Sequence, residues 1–251
     1  MKKKYISMAI AALLACGFAS CNDWLDVQQN TEKKADHMFD NYDGFKGALA
    51  GCYSDLLKSD LYGTRLTMTD IEGLACLWSL DVGNDNYTDG MLTSAYFREH
   101  NYSHNLTETA IRSIYGAFYN TILEANMVIK ACPEHGQNIP EEDSRAVVEG
   151  EAYAIRALCH FDLLRLFGQL PVNATTQVEL PYSEVTSIED PLVYYSFDEF
   201  VAKLESDLNK AESLMKDNDP VFQYTMDQLN NIGAEGYEDV SVDDDFMYSR
   251  Q

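Results

Sequence analysis

The sequence predicts a mainly α-helical protein built from paired helices. Apolar residues recur at three- and four-residue steps along four long stretches, about 41–58, 108–131, 141–168 and 196–215, which is the period of a helix with one buried face. Proline, glycine and capping residues punctuate those stretches. Extended pieces are confined to a loop-rich segment, 172–194.

The chain opens on Lys2, Lys3 and Lys4, followed by an uncharged run to residue 20 rich in Ala, Leu and Ile. That run is shorter than the roughly 20 apolar residues of a membrane-crossing helix and suits a secretory signal. Ala19-Ser20 lead straight into Cys21, which resembles a bacterial lipobox, although Phe18 stands three before the cysteine where Leu is commoner. Cys16, after Leu-Leu-Ala, competes. The polar, acidic sequence that begins after Cys21 favours Cys21 as the lipidated first residue of the mature chain. Acyl chains contribute roughly 0.8 kcal/mol per buried CH2, so more than one gives stable anchoring without spanning. The expected organisation is a lipoprotein signal peptide at 1–20, a lipidated tether at 21–40, a helical domain at 41–216 and an acidic loop or disordered tail at 217–251.

Within the domain, Phe45, Leu49, Cys52, Tyr53 and Leu56 define the first helix, and an irregular helix is expected over about 65–78. "DVGNDNYTDG", 81–90, reads as loop. Ile111, Ile114, Tyr115, Phe118, Tyr119, Ile122, Leu123, Asn126 and Ile129 share one face of the next helix, which Pro133 and Gly136 are expected to end. A loop, "CPEHGQNIP", leads to the helix "EEDSRAVVEGEAYAIRALCHFDLLRLFG", whose acids cluster at the N-terminus where the helix dipole favours them. Gly168 is its C-cap candidate, with Pro171 beyond. Ser196 and Glu199 have capping-box spacing ahead of the stripe Phe197, Phe200, Val201, Leu204, Leu208, Ala211, Leu214. From Asp217 onward apolar residues are sparse and no helix is expected.

The formal net charge is −23, and loss of the three-lysine leader makes the remainder more acidic still. Such a surface repels nucleic acid and anionic membrane and favours a neutral ligand. Sixteen tyrosines and frequent asparagines suit carbohydrate contact and equally suit an ordinary helical surface. Cys52, Cys76, Cys132 and Cys159 are scattered, with no C-x-x-C spacing for zinc or thioredoxin-type chemistry. Cys159, in an apolar run, reads as a small core residue, and disulfide pairing stays open.

No nucleophile-elbow, zincin, dinucleotide or P-loop pattern occurs, and neither a metal site nor a cofactor is expected. His100 and His104 have the spacing of two helical metal ligands but sit in polar, Asn-rich sequence. "DNYTDG", 85–90, has part of a calcium-loop pattern, yet tyrosines stand where acids belong. Glu149 and Glu151 point to different sides of a helix and read as solvated rather than as an acid/base couple. The best ligand candidates are Trp78, Asp81, Asn84, Asp85, Asn86 and Tyr87: an indole to stack on a sugar ring, and carboxylates and amides to bond hydroxyls at about 1 kcal/mol each. A buried Trp78 above a capping loop is the alternative.

"GEAYAIRALCHFDLLRLFGQLPV", 150–172, resembles a helix of the SusD/RagB family of Bacteroidetes surface lipoproteins. The shared features are Arg156-Ala157, His160-Phe161, Leu164-Arg165-Leu166-Phe167-Gly168 and a closing Pro171. Ala157 and Phe161 also match the A-x3-F pairing of a tetratricopeptide helix. "IYGAFYNTILEANMVI", "SCNDWLDV" and "SFDEFVAKLESDLNKAESLM" resemble flanking parts of the same family in the same order. The resemblance implies a SusD-like α/α superhelix of tetratricopeptide-like repeats, anchored at the outer face of the outer membrane by Cys21. It implies a non-catalytic binder of glycans, or sometimes peptides, that caps a SusC-like TonB-dependent transporter for import. Members are usually longer, so this chain is expected to be incomplete at the C-terminus. The rival readings are a lipid-anchored glycan hydrolase and a tetratricopeptide-like scaffold without a small ligand.

Overall fold

The computed structural model describes residues 37–67, 69–74, 89–169, 177–230, 233 and 235–236. Contacts divide the chain into Met1–Met38 and Phe39–Gln251, and the elements below belong to the second unit. They are helices α1 (Tyr42–Leu56), α2 (Asp70–Leu74), α3 (Asp89–Arg98), α4 (Asn105–His135), α5 (Glu142–Phe167), α6 (Phe197–Met215) and α7 (Met226–Asn230). A two-stranded antiparallel ribbon pairs β1 (Leu180–Pro181) with β2 (Tyr194–Tyr195). The fold is mainly helical, as the periodicity predicts.

Asn41 starts α1: its side-chain oxygen accepts the Gly44 N–H at 3.0 Å, satisfying a donor the helix cannot. Phe45, Leu49, Cys52 and Leu56 then point inward. On α4, Ile114, Phe118, Ile122, Ala125, Val128 and Cys132 meet them, and Val148, Ala152, Ile155, Cys159 and Leu163 of α5 close the same core. Burying each large side chain contributes about 1.5–3 kcal/mol, so this three-helix contact dominates the packing. Pro133 does not end α4 as the sequence suggests. The helix runs on two residues further to His135, despite the backbone hydrogen bond that proline forfeits to the carbonyl one turn back. Short helical turns also lie beyond Asp217, at Pro220–Gln223 and Met226–Asn230. The helix α3 has no counterpart in the sequence reading: its buried Thr93 and Ser94 hide its apolar pattern.

A second, smaller core joins α5 to α6: Ala157, Leu180, Tyr182, Phe200 and Leu204. Ser196 N–H and hydroxyl both reach Glu199 Oε2, at 3.0 and 2.7 Å, so the capping box forms as expected. The two helices approach closely. A Cβ on Gly150 would stand 3.3 Å from the Ala211 carbonyl oxygen and 2.5 Å from Met215 Cγ, so any side chain here would make the Met215 side chain and the facing turn of α6 give way. Ala157 is fully buried on the same side of α5, but Phe161 is 45% exposed. The pairing of the two within one interface therefore holds for Ala157 alone. Phe161 shares the open stripe of α5 with Leu158 and carries the Arg165 guanidinium 5.6 Å above its ring. Ala157→Leu is expected to push α6 away and destabilise the protein by about 1–3 kcal/mol. A chemical-denaturation midpoint equal to that of the unsubstituted protein would contradict this.

Candidate functional site

Three features of the described residues are candidates for function. The first is a buried polar cluster. Arg156 on α5 is 5% exposed and forms a two-pronged pair with Asp207 of α6, Nε to Oδ2 at 2.7 Å and Nη2 to Oδ1 at 2.6 Å. Its third arm donates to Asn126 Oδ1 of α4 at 2.8 Å. Asn126 in turn donates to the carbonyls of Ser183 and Val185, at 3.1 and 2.9 Å, and Tyr182 donates to Asp207 at 2.5 Å. His160 donates from Nδ1 to the Arg156 carbonyl at 2.9 Å and accepts the Ser183 N–H on Nε2 at 3.0 Å. Those two bonds fix the neutral tautomer. Its ring stacks on Tyr182 with centroids 3.7 Å apart. Burial lowers its pKa to about 3, against the Arg156 carbonyl, which holds it up. Every member is engaged, so this cluster fastens 180–185 onto three helices rather than offering a reactive group.

The second feature is a cleft of about 330 Å³ among α2, α3, α4 and the end of α5. Ile71, Leu74, Phe97, Ile111, Ile114 and Phe167 form apolar walls, and Asp70 and Tyr102 are its polar members. Neither is free to turn inward: Asp70 accepts from Arg65 at 2.7 Å and Ser94 at 3.2 Å, and the Tyr102 hydroxyl meets His100 Nδ1 at 3.0 Å.

The third is an aromatic group at the rim of that cleft. Tyr115 and Tyr119, one turn apart on α4, have centroids 4.8 Å apart, and Phe167 meets Tyr115 edge-on at 5.4 Å. The Tyr119 hydroxyl donates to the Pro181 carbonyl at 2.7 Å. Burial raises both phenol pKa values.

Cys21, Cys76 and the loop candidates Trp78, Asp81, Asn84, Asp85, Asn86 and Tyr87 lie outside the described residues. His100 and His104 do not share a helix face. His100 occupies a turn with φ of 54°, while His104 caps α4, accepting the Leu106 N–H at 3.3 Å, and stacks on Tyr96. Among the described residues no group of three His, Cys, Asp or Glu could hold a metal ion. Glu151 departs from the solvated reading. It accepts from the Tyr53 hydroxyl at 3.2 Å, and burial pushes its pKa up to about 7. Cys52, Cys132 and Cys159 are buried free thiols, with burial raising Cys52 and Cys132 to about 12, far from a reactive thiolate.

No described helix is long and apolar enough to cross a membrane. A curated SusD-like protein, P38 of Formosa agariphila, is 29% identical over 188 residues, covering 73% of this chain. The chain matches only 33% of that relative's length. A family model, SusD-like, described as starch-binding and associating with the outer membrane, matches residues 23–227. That match takes in α1 to α6, the 180–185 strap and the aromatic rim, and it shows that the chain belongs to the SusD-like family.

Proposed function

We propose that this protein is a non-catalytic glycan-binding lipoprotein of the outer membrane. Cys21 carries the lipid, the chain faces the cell exterior, and it hands captured oligosaccharide to a SusC-like TonB-dependent transporter. The observation that carries the reading is the family match over 23–227, which starts two residues after the expected lipidation site. The net charge of −23 supports a neutral ligand over an acidic one. Sugar contact is assigned to the Trp78–Tyr87 stretch, with the Trp78 indole as a stacking surface and Asp81, Asn84, Asp85, Asn86 and Tyr87 as hydroxyl partners.

The test joins anchoring to binding. Cys21→Ala is expected to abolish acyl labelling and release the protein from the membrane fraction. Trp78→Ala is expected to weaken retention on a neutral glycan about tenfold, the loss of one good stacking contact. Labelling that survives Cys21→Ala and disappears with Cys16→Ala moves the anchor to Cys16. Hydrolysis of the glycan by the purified protein would overturn the non-catalytic reading.

A further inference from the structure

We infer that α1 is a proton-sensitive latch: Glu124 on α4 and Glu151 on α5 hold it as neutral carboxylic acids, and loss of their protons raises the frequency with which α1 opens away from those two helices. The inference goes beyond the glycan-binding reading and does not depend on it.

The two carboxyls meet α1 from different helices. Glu124 Oε2 is buried, and no described residue hydrogen-bonds it. It lies 3.5 Å from where a Gly51 Cβ would stand, so the bare backbone of α1 at that position admits it. A buried carboxylate oxygen without a donor gives up its hydration and receives nothing in return; a proton removes the charge. The groups that face it from α1 do not compensate. Asp55 opposes a second negative charge there, and the buried Cys52 thiol stands beside both carboxyls. Lys58 attracts one, but it is already paired with Asp55 at 2.5 Å. On the α5 side, Glu151 accepts the Tyr53 hydroxyl of α1 at 3.2 Å. Its neighbour Gly150 lies against Ala211 and Met215 of α6, and the Asp219 N–H bonds the Met215 carbonyl at 2.8 Å. The Asp219 carboxylate is thereby brought within electrostatic reach of Glu151 and works against its ionisation. No cation is among the groups acting on Glu151.

Burial is the first cause that favours the protonated form of both acids. For Glu151 it sets the docked value at about 7, against an ordinary 4.5 that returns when α1 lifts and water enters. Below pH 4.5 the docked and opened forms are both protonated, and docking has its full strength. Between 4.5 and 7 the opened form releases a proton that the docked form keeps, so docking weakens as pH rises, and the loss is complete above about pH 7. Phe45, Leu49, Cys52 and Leu56 stay buried in the shared core while α1 is docked, so the acids set how often the helix opens rather than whether it docks. The clamp around Arg156 joins α4, α5, α6 and the 180–185 strap without a bond to α1, which leaves the opening local to α1.

The experiment is amide hydrogen exchange on the whole chain, purified from membranes in detergent, between pH 5 and pH 8, with protection corrected for the intrinsic pH dependence of exchange. Protection over Tyr42–Leu56 is expected to fall by about tenfold or more from pH 5 to pH 8; the gap between 4.5 and about 7 at Glu151 allows up to about 300-fold. Protection of α6 is expected to hold or rise over the same range, since neutral His160 stabilises its side of the molecule there. Glu151→Gln, which copies the protonated acid, is expected to remove most of the fall in α1, and adding Glu124→Gln the remainder. A second readout needs no substitution: at pH 6 the unsubstituted protein is expected to show the infrared C=O stretch of a protonated carboxyl, which disappears by pH 8. Protection of α1 that does not change with pH overturns the latch. So does a fall that α6 shares, which is global unfolding, a fall that the double glutamine variant retains, or the absence of the carboxyl band at pH 6.

Discussion

Replacing Asp207 by alanine is expected to destabilise the protein by about 3–5 kcal/mol, the cost of stranding one member of a buried ion pair. The Arg156 guanidinium is 5% exposed and gives two of its arms to this carboxylate. Without it, Asn126 remains as one acceptor, and the nearest other carboxylate, Glu184, is 3.9 Å away and already held by Lys203 at 2.6 Å. Tyr182 loses its acceptor as well. Stability of that size is a large share of the 5–15 kcal/mol typical of a domain. Urea denaturation followed by circular dichroism measures it. The double substitution Arg156→Met with Asp207→Leu removes both charges and is expected to recover much of the loss, since apolar replacements of buried pairs are often near neutral. A loss under 1 kcal/mol for Asp207→Ala would mean that water reaches the guanidinium.

The second large effect is acid lability through His160. Its ordinary pKa is 6.5, and burial lowers it to about 3 in the folded protein. Below pH 6.5 the unfolded chain takes up a proton that the folded chain refuses until about pH 3. The stabilisation by neutral His160 is therefore fully present above pH 6.5 and is lost as pH falls from 6.5 toward 3. At 1.36 kcal/mol per pKa unit the loss is roughly 4–5 kcal/mol. Protonation would set a second N–H against the Ser183 donor and place a cation beside Arg156 and Lys203, both of which repel it. Urea midpoints measured between pH 7 and pH 3 are expected to fall more steeply for the native sequence than for His160→Gln. Parallel curves for the two proteins would contradict the assignment.

Local periodicity revealed α1, α4, α5 and α6, because each buries one stripe in a core made of its neighbours. It could not reveal why Arg156 belongs in an apolar run. Its partner lies 51 residues away in sequence, and Asp207 reads locally as one more acid on an acidic helix. The cue available was positional: Asp207 falls three after Leu204 and four before Ala211, inside the buried stripe, where a carboxylate needs a cation. The exposure of Phe161 was equally hidden, since a motif spacing tells which residues lie near one another on a helix but not how wide a face the partner covers. The aromatic rim is not legible in local sequence because it is assembled across α4, the end of α5 and a two-residue strand. For the loop around Trp78 the sequence pattern alone speaks.

The strap of residues 180–185 also bears on the order in which the protein closes. When α4 and α5 meet before the strap and α6 have docked, Asn126 is present and Asp207 is not, so the Arg156 side chain has one of its two side-chain hydrogen-bond partners. A guanidinium in that position stays hydrated, and the two helices cannot seal against each other around it. Sealing waits until Tyr182, Ser183 and Asp207 are in place. Assembly of this region is thus a single late closure set by the docking of α6, in keeping with the general tendency of domains to fold as units.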